Sequence, residues 1–314
     1  MRTTVVICSA NRPNVLSETV ESLLHGQSVP AREVIVSVCN QDHVMESTRA
    51  HSSVRVVLSR TQGLTIQRNA GAKVVQTPYT LFLDDDVEIA PNFIESMERL
   101  LDTVSDAIGA TGFVVVDGAQ GDVGLDRKAA RSAAVNYVRR RDNYDYDELY
   151  GCNLFVRTRI FAEVLFDERL PLYAWLEDLD FSTNCLRFGR TIRNTETCVA
   201  HLAAPAGRFS GLMFGYSQIV NPFYLWRKNG KPGLSHVVVA HWCVHIARNL
   251  RRALTKIPSD RTDRKGRLRG NMIALCHLVV GKVDPSYILQ LDHVVTAQSR
   301  SSTLEAPALG GSVR

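Results

Sequence analysis

Tyr79-Thr80-Leu81-Phe82-Leu83-Asp84-Asp85-Asp86-Val87 is the stretch on which the reading of this chain turns. Its apolar run with two aromatic residues predicts a buried strand, and that strand ends in three consecutive carboxylates. Adjacent Asp side chains repel one another, Asp is depleted inside strands, and no Lys or Arg follows within the next ten residues. Open α/β sheets bind ligands outside the carboxyl ends of their strands. Hard oxygen ligands gathered there predict Mg²⁺ or Mn²⁺ holding a phosphorylated substrate. With alternate residues of the turn pointing the same way, Asp84 and Asp86 are expected to face the cleft together. The plainer alternative is a solvated turn that caps a helix starting near Pro91.

Upstream, Thr3 to Cys8 predicts a first strand, Val15 to Leu24 a helix and Glu33 to Val38 a second strand, with Asn40-Gln41-Asp42 at its end. Continuous apolar strands separated by a helix predict a βαβ unit on a parallel sheet. Val54 to Leu58 is a third short strand, and a helix opening at Gly63 carries Arg68. Downstream, Pro91 suits the first turn of a helix ending near Leu101, and Ile108 to Val116 is another strand. Asp117 to Tyr150, with Gly118, Gly121 and Gly124, reads as a substrate-facing, partly helical excursion. Gly151 to Val156 returns as a strand, Trp175-Leu176-Glu177-Asp178 opens a helix running to Phe188, and Thr195 to His201 closes the sheet. Helices are expected over Leu212 to Arg227, Ser235 to Leu254 and Asn271 to Val280, and disorder from Gln298. The fold class is therefore α/β with a helical C-terminal extension.

Composition narrows the classes. A chain of 314 residues with 45% hydrophobic and 22% charged content is ordinary for a globular protein. Its seven cysteines lie scattered without a Cys-x-x-Cys pair, which predicts reduced thiols, a cytoplasmic setting and no zinc site. No apolar run approaches the ~20 residues of a membrane span. The net charge of +5 is unevenly placed: Arg248 to Arg269 holds nine Lys/Arg against two Asp. Apolar residues at 237, 238, 242, 244, 246, 250 and 254 would let that region lie on an anionic membrane as an amphipathic helix. Without interleaved aromatics, nucleic acid is not expected.

Four groups carry candidate chemistry. Asp84 and Asp86 would meet a metal. Glu177 and Asp178, about ninety residues later, would divide labour with them, one pair holding the metal and the other supplying a general base. Arg68 would reach a phosphate or carboxylate, and His201 would add a metal ligand. Trp175 would stack on a sugar ring.

Taken together, Val5 to Pro13, Gly63 to Gly71, Phe82 to Asp86 and Glu177 to Phe181 resemble the family-2 glycosyltransferases of the GT-A fold, in order and spacing from about Thr3 to His201. The resemblance implies a mainly parallel mixed sheet flanked by helices, and inverting transfer of a sugar from a nucleotide-sugar to an acceptor hydroxyl in polysaccharide or glycolipid assembly. It implies Asp84 and Asp86 as the metal-binding Asp-x-Asp with His201 completing the shell, Asp178 as base and Glu177 as its support. Ser9, Asn11, Arg12, Asp42, Arg68, Asp84 and Asp85 would bind the donor, and Trp175 and Asn153 a glycan or lipid-linked acceptor. Residues 1–210 would form the catalytic domain (donor half about 1–116, acceptor half about 117–210), 211–297 the helical extension and 298–314 a tail, with the protein peripheral on the inner membrane face. One departure stands out: the Asp that usually follows the second strand and reads uracil is replaced by Ser37 or Val38, so guanosine or thymidine donors stay open. A sugar-1-phosphate nucleotidyltransferase would need a Gly-rich loop where Ser9 to Asn14 has none. A binding protein without turnover would lack Asp178.

Overall fold

The sheet forms where the apolar runs fall. In the computed structural model, which describes residues 1–118, 125–204, 210–230, 234–255 and 262–291, nine strands are placed. They are β1 (Thr3–Cys8), β2 (Glu33–Val38), β3 (Val54–Leu58), β4 (Tyr79–Asp84), β5 (Val87–Ile89), β6 (Ala107–Asp117), β7 (Tyr144–Asp145), β8 (Asn153–Arg157) and β9 (Arg190–His201). Their order is β3-β2-β1-β4-β8-β6-β9-β5, with β7 on β9. β1 to β4 pair in parallel, β8 inserts antiparallel beside β4, and β6 and β9 resume parallel pairing. Expected tail residues 298–314, Gly121 and Gly124, and Lys256 and Arg261 of the basic run lie outside the described residues.

Both faces of the central strands are buried, which is why these strands read as unbroken apolar runs. On one face Val5, Ile7, Val34 and Val36 pack with Leu16, Val20 and Leu23 of α1 (Pro13–Gly26). On the other, Val6, Ile35 and Phe82 join Phe181 and Cys185. The other helices of this part of the chain are α2 (Glu46–Arg49), α3 (Leu64–Ala72), α4 (Phe93–Thr103), α5 (Arg127–Val135) and α6 (Glu177–Cys185).

Two expectations shift here. Pro91 does not open a helix; Val87–Ile89 is a strand paired with β9, and α4 starts at Phe93. The strand exists because its Val87 pairs with His201, a partner more than a hundred residues away. The last helix begins well before Asn271, because Asp263 caps it by accepting from Gly266 N–H at 2.7 Å.

The chain divides into two compact units, Met1–Phe209 with Thr255–Thr262, and Ser210–Leu254 with Asp263–Arg314. The second holds α7 (Gly211–Lys228), α8 (His236–Thr255) and α9 (Arg264–Val279). α7 and α9 meet backbone to backbone at Gly215 and Gly270. A methyl on Gly215 would overlap the carbonyl oxygen of Arg267, and one on Gly270 that of Leu212. All seven cysteines are free thiols.

Candidate active site

β4 delivers the three carboxylates to the carboxyl edge of the parallel strands, and each then meets a different environment. Asp85 is fully buried. It accepts from Ser9 Oγ and from Arg12 Nε at 2.8 Å, and pairs with Arg12 Nη2. Asp86 is also buried, with Arg12 Nη1 at 3.2 Å and the Ala204 N–H at 2.8 Å on its Oδ2. Of the three, only Asp84 keeps a partly exposed side chain.

The counter-charge that the local sequence lacks thus comes from upstream. Ser9 and Arg12, expected on the donor, are spent on Asp85 and Asp86, and Asp85 itself has no face toward a ligand. Two adjacent carboxylates need such partners to be buried at all. Asn11, between them, is exposed and left-handed at φ 58°. Asp42 is likewise exposed, in a short 3₁₀ turn (Gln41–His43) whose Asp42 N–H donates to Asn40 Oδ1. Ser37, where the family's uracil-reading Asp would approach, is buried and donates to Gln67 O at 2.7 Å.

Pairing of β5 with β9 brings His201 against the turn. One ligand atom each from Asp84, Asp86 and His201 lies within 4.8 Å of the others, a set that can hold a metal ion. His201 Nε2 stands 3.4 Å from Asp86 Oδ1 and 3.8 Å from Asp84 Oδ2, and that Asp86 oxygen has no hydrogen bond. The ring's other nitrogen, Nδ1, lies 3.0 Å from Asp117 Oδ1. A carboxylate only accepts, so Nδ1 carries a proton; Nε2, which also faces carboxylates, is protonated as well at neutral pH, and a metal ion held there would take the place of that proton. Asp117 is held in turn by Tyr150 Oη, which donates at 2.8 Å. Asp117 was not among the expected residues; β6–β9 register, which sets it opposite His201, is what places it there. Burial opposes a charge on His201, but Asp117 and Asp86 outweigh it and raise the imidazole to about 10. Burial also opposes ionisation of Asp86, but His201, Arg12 and the Ala204 N–H hold it well below the usual carboxylate range.

The second carboxylate pair opens α6. Leu172, Ala174 and Leu176 all take left-handed φ, at 60°, 54° and 73°, in the loop that presents it. Such strain in non-glycine residues persists only where neighbours impose it. Here α3 does so: Leu64 N–H donates to Leu172 O at 2.9 Å and Thr65 Oγ1 to Leu170 O at 3.0 Å. Half-buried Trp175 rides on this loop. Asp178 accepts from the Gly151 N–H at 3.0 Å and from the Leu179 N–H at 2.9 Å. Burial raises the pKa of Asp178, with Arg68 and these N–H groups working against it. Burial and the neighbouring Asp178 push Glu177 up to about 8, against the pull of Arg68.

Arg68 joins the two pairs. It is 2% exposed, reaches Glu177 at 2.5 Å, Gly151 O at 2.8 Å and Asp84 at 3.5 Å, and lies over the Phe166 ring. Of the two kinds of partner expected for Arg68, a phosphate or a carboxylate, the structure shows the carboxylates of Glu177 and Asp84. Asn153, expected at the acceptor, is fully buried and accepts from Thr111 Oγ1 at 2.7 Å and Gly112 N–H at 2.5 Å, tying β8 to β6.

Comparison with known proteins adds three relatives and a family. The chain is 28% identical over 123 residues to a glucosyl-dolichyl phosphate glucuronosyltransferase of Haloferax volcanii, across 37% of this chain and 39% of that one. It spans well under half the length of this curated relative. Its fold is similar to that of GalNAc-T7, solved with UDP, GalNAc and Mn²⁺ (17% identity, TM-score 0.52, 72% of this chain and 50% of that chain). S. aureus TarS 1-349 with UDP-GlcNAc matches at 17% identity and TM-score 0.49, over 68% of this chain and 64% of that one. The mixed, mainly parallel sheet flanked by helices is the GT-A type. Residues 4–165, more than half of the chain, match the model of glycosyl transferase family 2, and the chain belongs to that family.

Proposed function

We propose that this chain is an inverting glycosyltransferase that moves a sugar from a nucleotide-sugar donor to an acceptor hydroxyl, with Asp178 as the general base. The observation that carries this reading is the pairing of two carboxylate centres through one buried arginine: Asp84, Asp86 and His201 on one side of Arg68, Glu177 and Asp178 on the other. Inversion calls for a base opposite the leaving group, so two separated acidic centres suit it.

Asp84, Asp86 and His201 would hold Mg²⁺ or Mn²⁺. The donor set fits: hard carboxylate oxygens and an imidazole nitrogen suit such an ion, and the Asp86 oxygen without a hydrogen bond lies within the cluster. A bound divalent cation would offset the negative charge of a diphosphate leaving group. Asp178 would take the acceptor proton on a carboxylate oxygen, its basicity raised by burial. Glu177 and Arg68 would fix that carboxylate through Gly151, whose N–H and C=O serve Asp178 and Arg68 respectively. Exposed Asn11 and Asp42 would meet the nucleoside, and Trp175 the acceptor ring.

The named substrate of the Haloferax relative favours a lipid-linked or glycan acceptor here, in polysaccharide or glycolipid assembly. Screening a panel of nucleotide-sugars for Mn²⁺-dependent binding and slow hydrolysis tests the proposal. Hydrolysis of one donor would support it; no nucleotide-sugar bound with or without Mn²⁺ would end it.

A further inference from the structure

α8 carries apolar residues on both of its sides. Its residues fall on two sides of a helix of about 3.6 residues per turn. Val238, Trp242 and Asn249 are buried, and the half-buried His245 turns inward with them. Asn249 Nδ2 donates to Gln218 and Asn271, each at 3.0 Å, and His245 Nδ1 meets Gln218 Nε2 at 2.9 Å. On the opposite side Val237, Val244, Leu250 and Leu254 are 59%, 63%, 47% and 73% exposed. Exposed Ala240, Cys243 and Ala247 fill the spaces between them. A helix on the surface of a water-soluble domain usually presents a mainly polar outward side.

The rest of this unit follows the same logic. α7 and α9 touch through Gly215 and Gly270, and amide side chains hydrogen-bond between helices, which is how helices associate in lipid. Among the described residues no helix is long and apolar enough to cross a membrane. An exposed apolar face on such a helix suits a position in the plane of a lipid interface. The charge identifies that interface. α8 contains no Asp or Glu, and Arg248 and Arg251 are exposed on the side that carries Val244 and Leu254. Basic side chains beside an apolar face are attracted to anionic headgroups, whereas a second copy would bring one basic face against another.

We propose that the outward face of α8 docks on an anionic lipid surface, with Val237, Val244 and Leu254 entering the interface and Arg248 and Arg251 meeting the headgroups. This narrows the expected membrane face: Val238 and Trp242 are buried inside the protein, which leaves Val237, Val244, Leu250 and Leu254 facing outward. It stands independently of the transfer reaction.

Flotation of the full chain with vesicles tests it, using phosphatidylcholine alone and phosphatidylcholine with about one-third phosphatidylglycerol. The expected result is flotation with the anionic vesicles. In Val244→Glu/Leu254→Glu binding should fall about tenfold or more, because two charges would enter the apolar layer. Both positions face solvent in the protein itself, so its circular dichroism and melting temperature should stay unchanged. In Arg248→Gln/Arg251→Gln the preference for anionic over neutral vesicles should shrink about tenfold. The proposal is overturned if the unaltered chain does not float with anionic vesicles, or if the glutamate variant floats equally well. It is also overturned if light scattering without lipid shows a dimer that the glutamate variant converts to monomer.

Discussion

Arg68 and Glu177 lie 109 residues apart in sequence and 2.5 Å apart in space, in a bridge with almost no exposure to water. The other arm of Arg68 comes within 3.5 Å of Asp84. One cation thus answers two acidic centres. Buried pairs of this kind add little net stability as a unit, yet losing one partner is costly because a charge is stranded.

Replacing Arg68 should therefore act on both stability and acidity. Arg68→Met is expected to cost about 3–5 kcal/mol in chemical unfolding, the price of an uncompensated buried carboxylate. Arg68→Lys should recover part of that loss. Arg68 also opposes the rise in pKa of Glu177 and Asp178. A base works deprotonated, so transfer is lost as pH falls through its pKa. With the cation gone that pKa climbs, and the acid limb of the pH–rate profile should move to higher pH. A limb that stays in place would separate Arg68 from the base.

Asp178→Asn keeps the shape of the carboxylate and removes its basicity. Donor binding should survive nearly intact while transfer falls about 10²–10⁴-fold, the usual contribution of a general base. Calorimetry with the donor and a transfer assay read the two separately. Substantial remaining transfer would remove Asp178 from that role, and Glu177→Gln would then be the next variant to measure.

The parallel sheet, the acidic strand edge at Asp84 to Asp86 and the second acidic pair were all legible in the sequence. Apolar runs and adjacent charges are local signals. What the local signals could not tell was where the charges find partners. Ser9, Arg12 and Arg68 sit in the segments expected to meet a donor, but each is engaged with a carboxylate brought in by the fold. Asn153 reads as a polar residue near a site and serves as a tie between strands. Strand β5 is three residues long and depends on its remote partner, so periodicity had nothing to work on. In α8 the apolar positions were all visible, yet only packing divides them into an inward and an outward set.

Asp117 illustrates the same limit and gives a further test. It orients His201 while Tyr150 orients it, a carboxylate–imidazole arrangement that sharpens a metal ligand. Asp117→Ala should weaken Mn²⁺ binding about 10–100-fold, with Asp117→Asn falling between it and the unaltered protein because the amide oxygen still accepts. Titration of free Mn²⁺ by electron paramagnetic resonance measures this without any turnover. Equal affinity in the alanine variant would show that His201 needs no orienting partner, whereas no Mn²⁺ binding in the unaltered protein would instead defeat the metal site itself.

Gly215 tests the helical unit apart from the chemistry. Its Cα faces the backbone of Arg267, so an added methyl meets a carbonyl oxygen rather than a side chain that can swing away. Overpacking at a rigid contact costs about 1–3 kcal/mol, and Gly215→Val should exceed Gly215→Ala because the second variant adds less volume. The polar contact beside it, from Asn271 Nδ2 to Gly215 O at 2.7 Å, should lengthen or break as the helices part. Asn271 is fully buried and also bonded to Asn249, so the loss would spread into α8. Thermal melting followed by hydrogen exchange at α7 and α9 would show it. Unchanged protection in Gly215→Val would mean that the two helices do not rely on direct backbone contact.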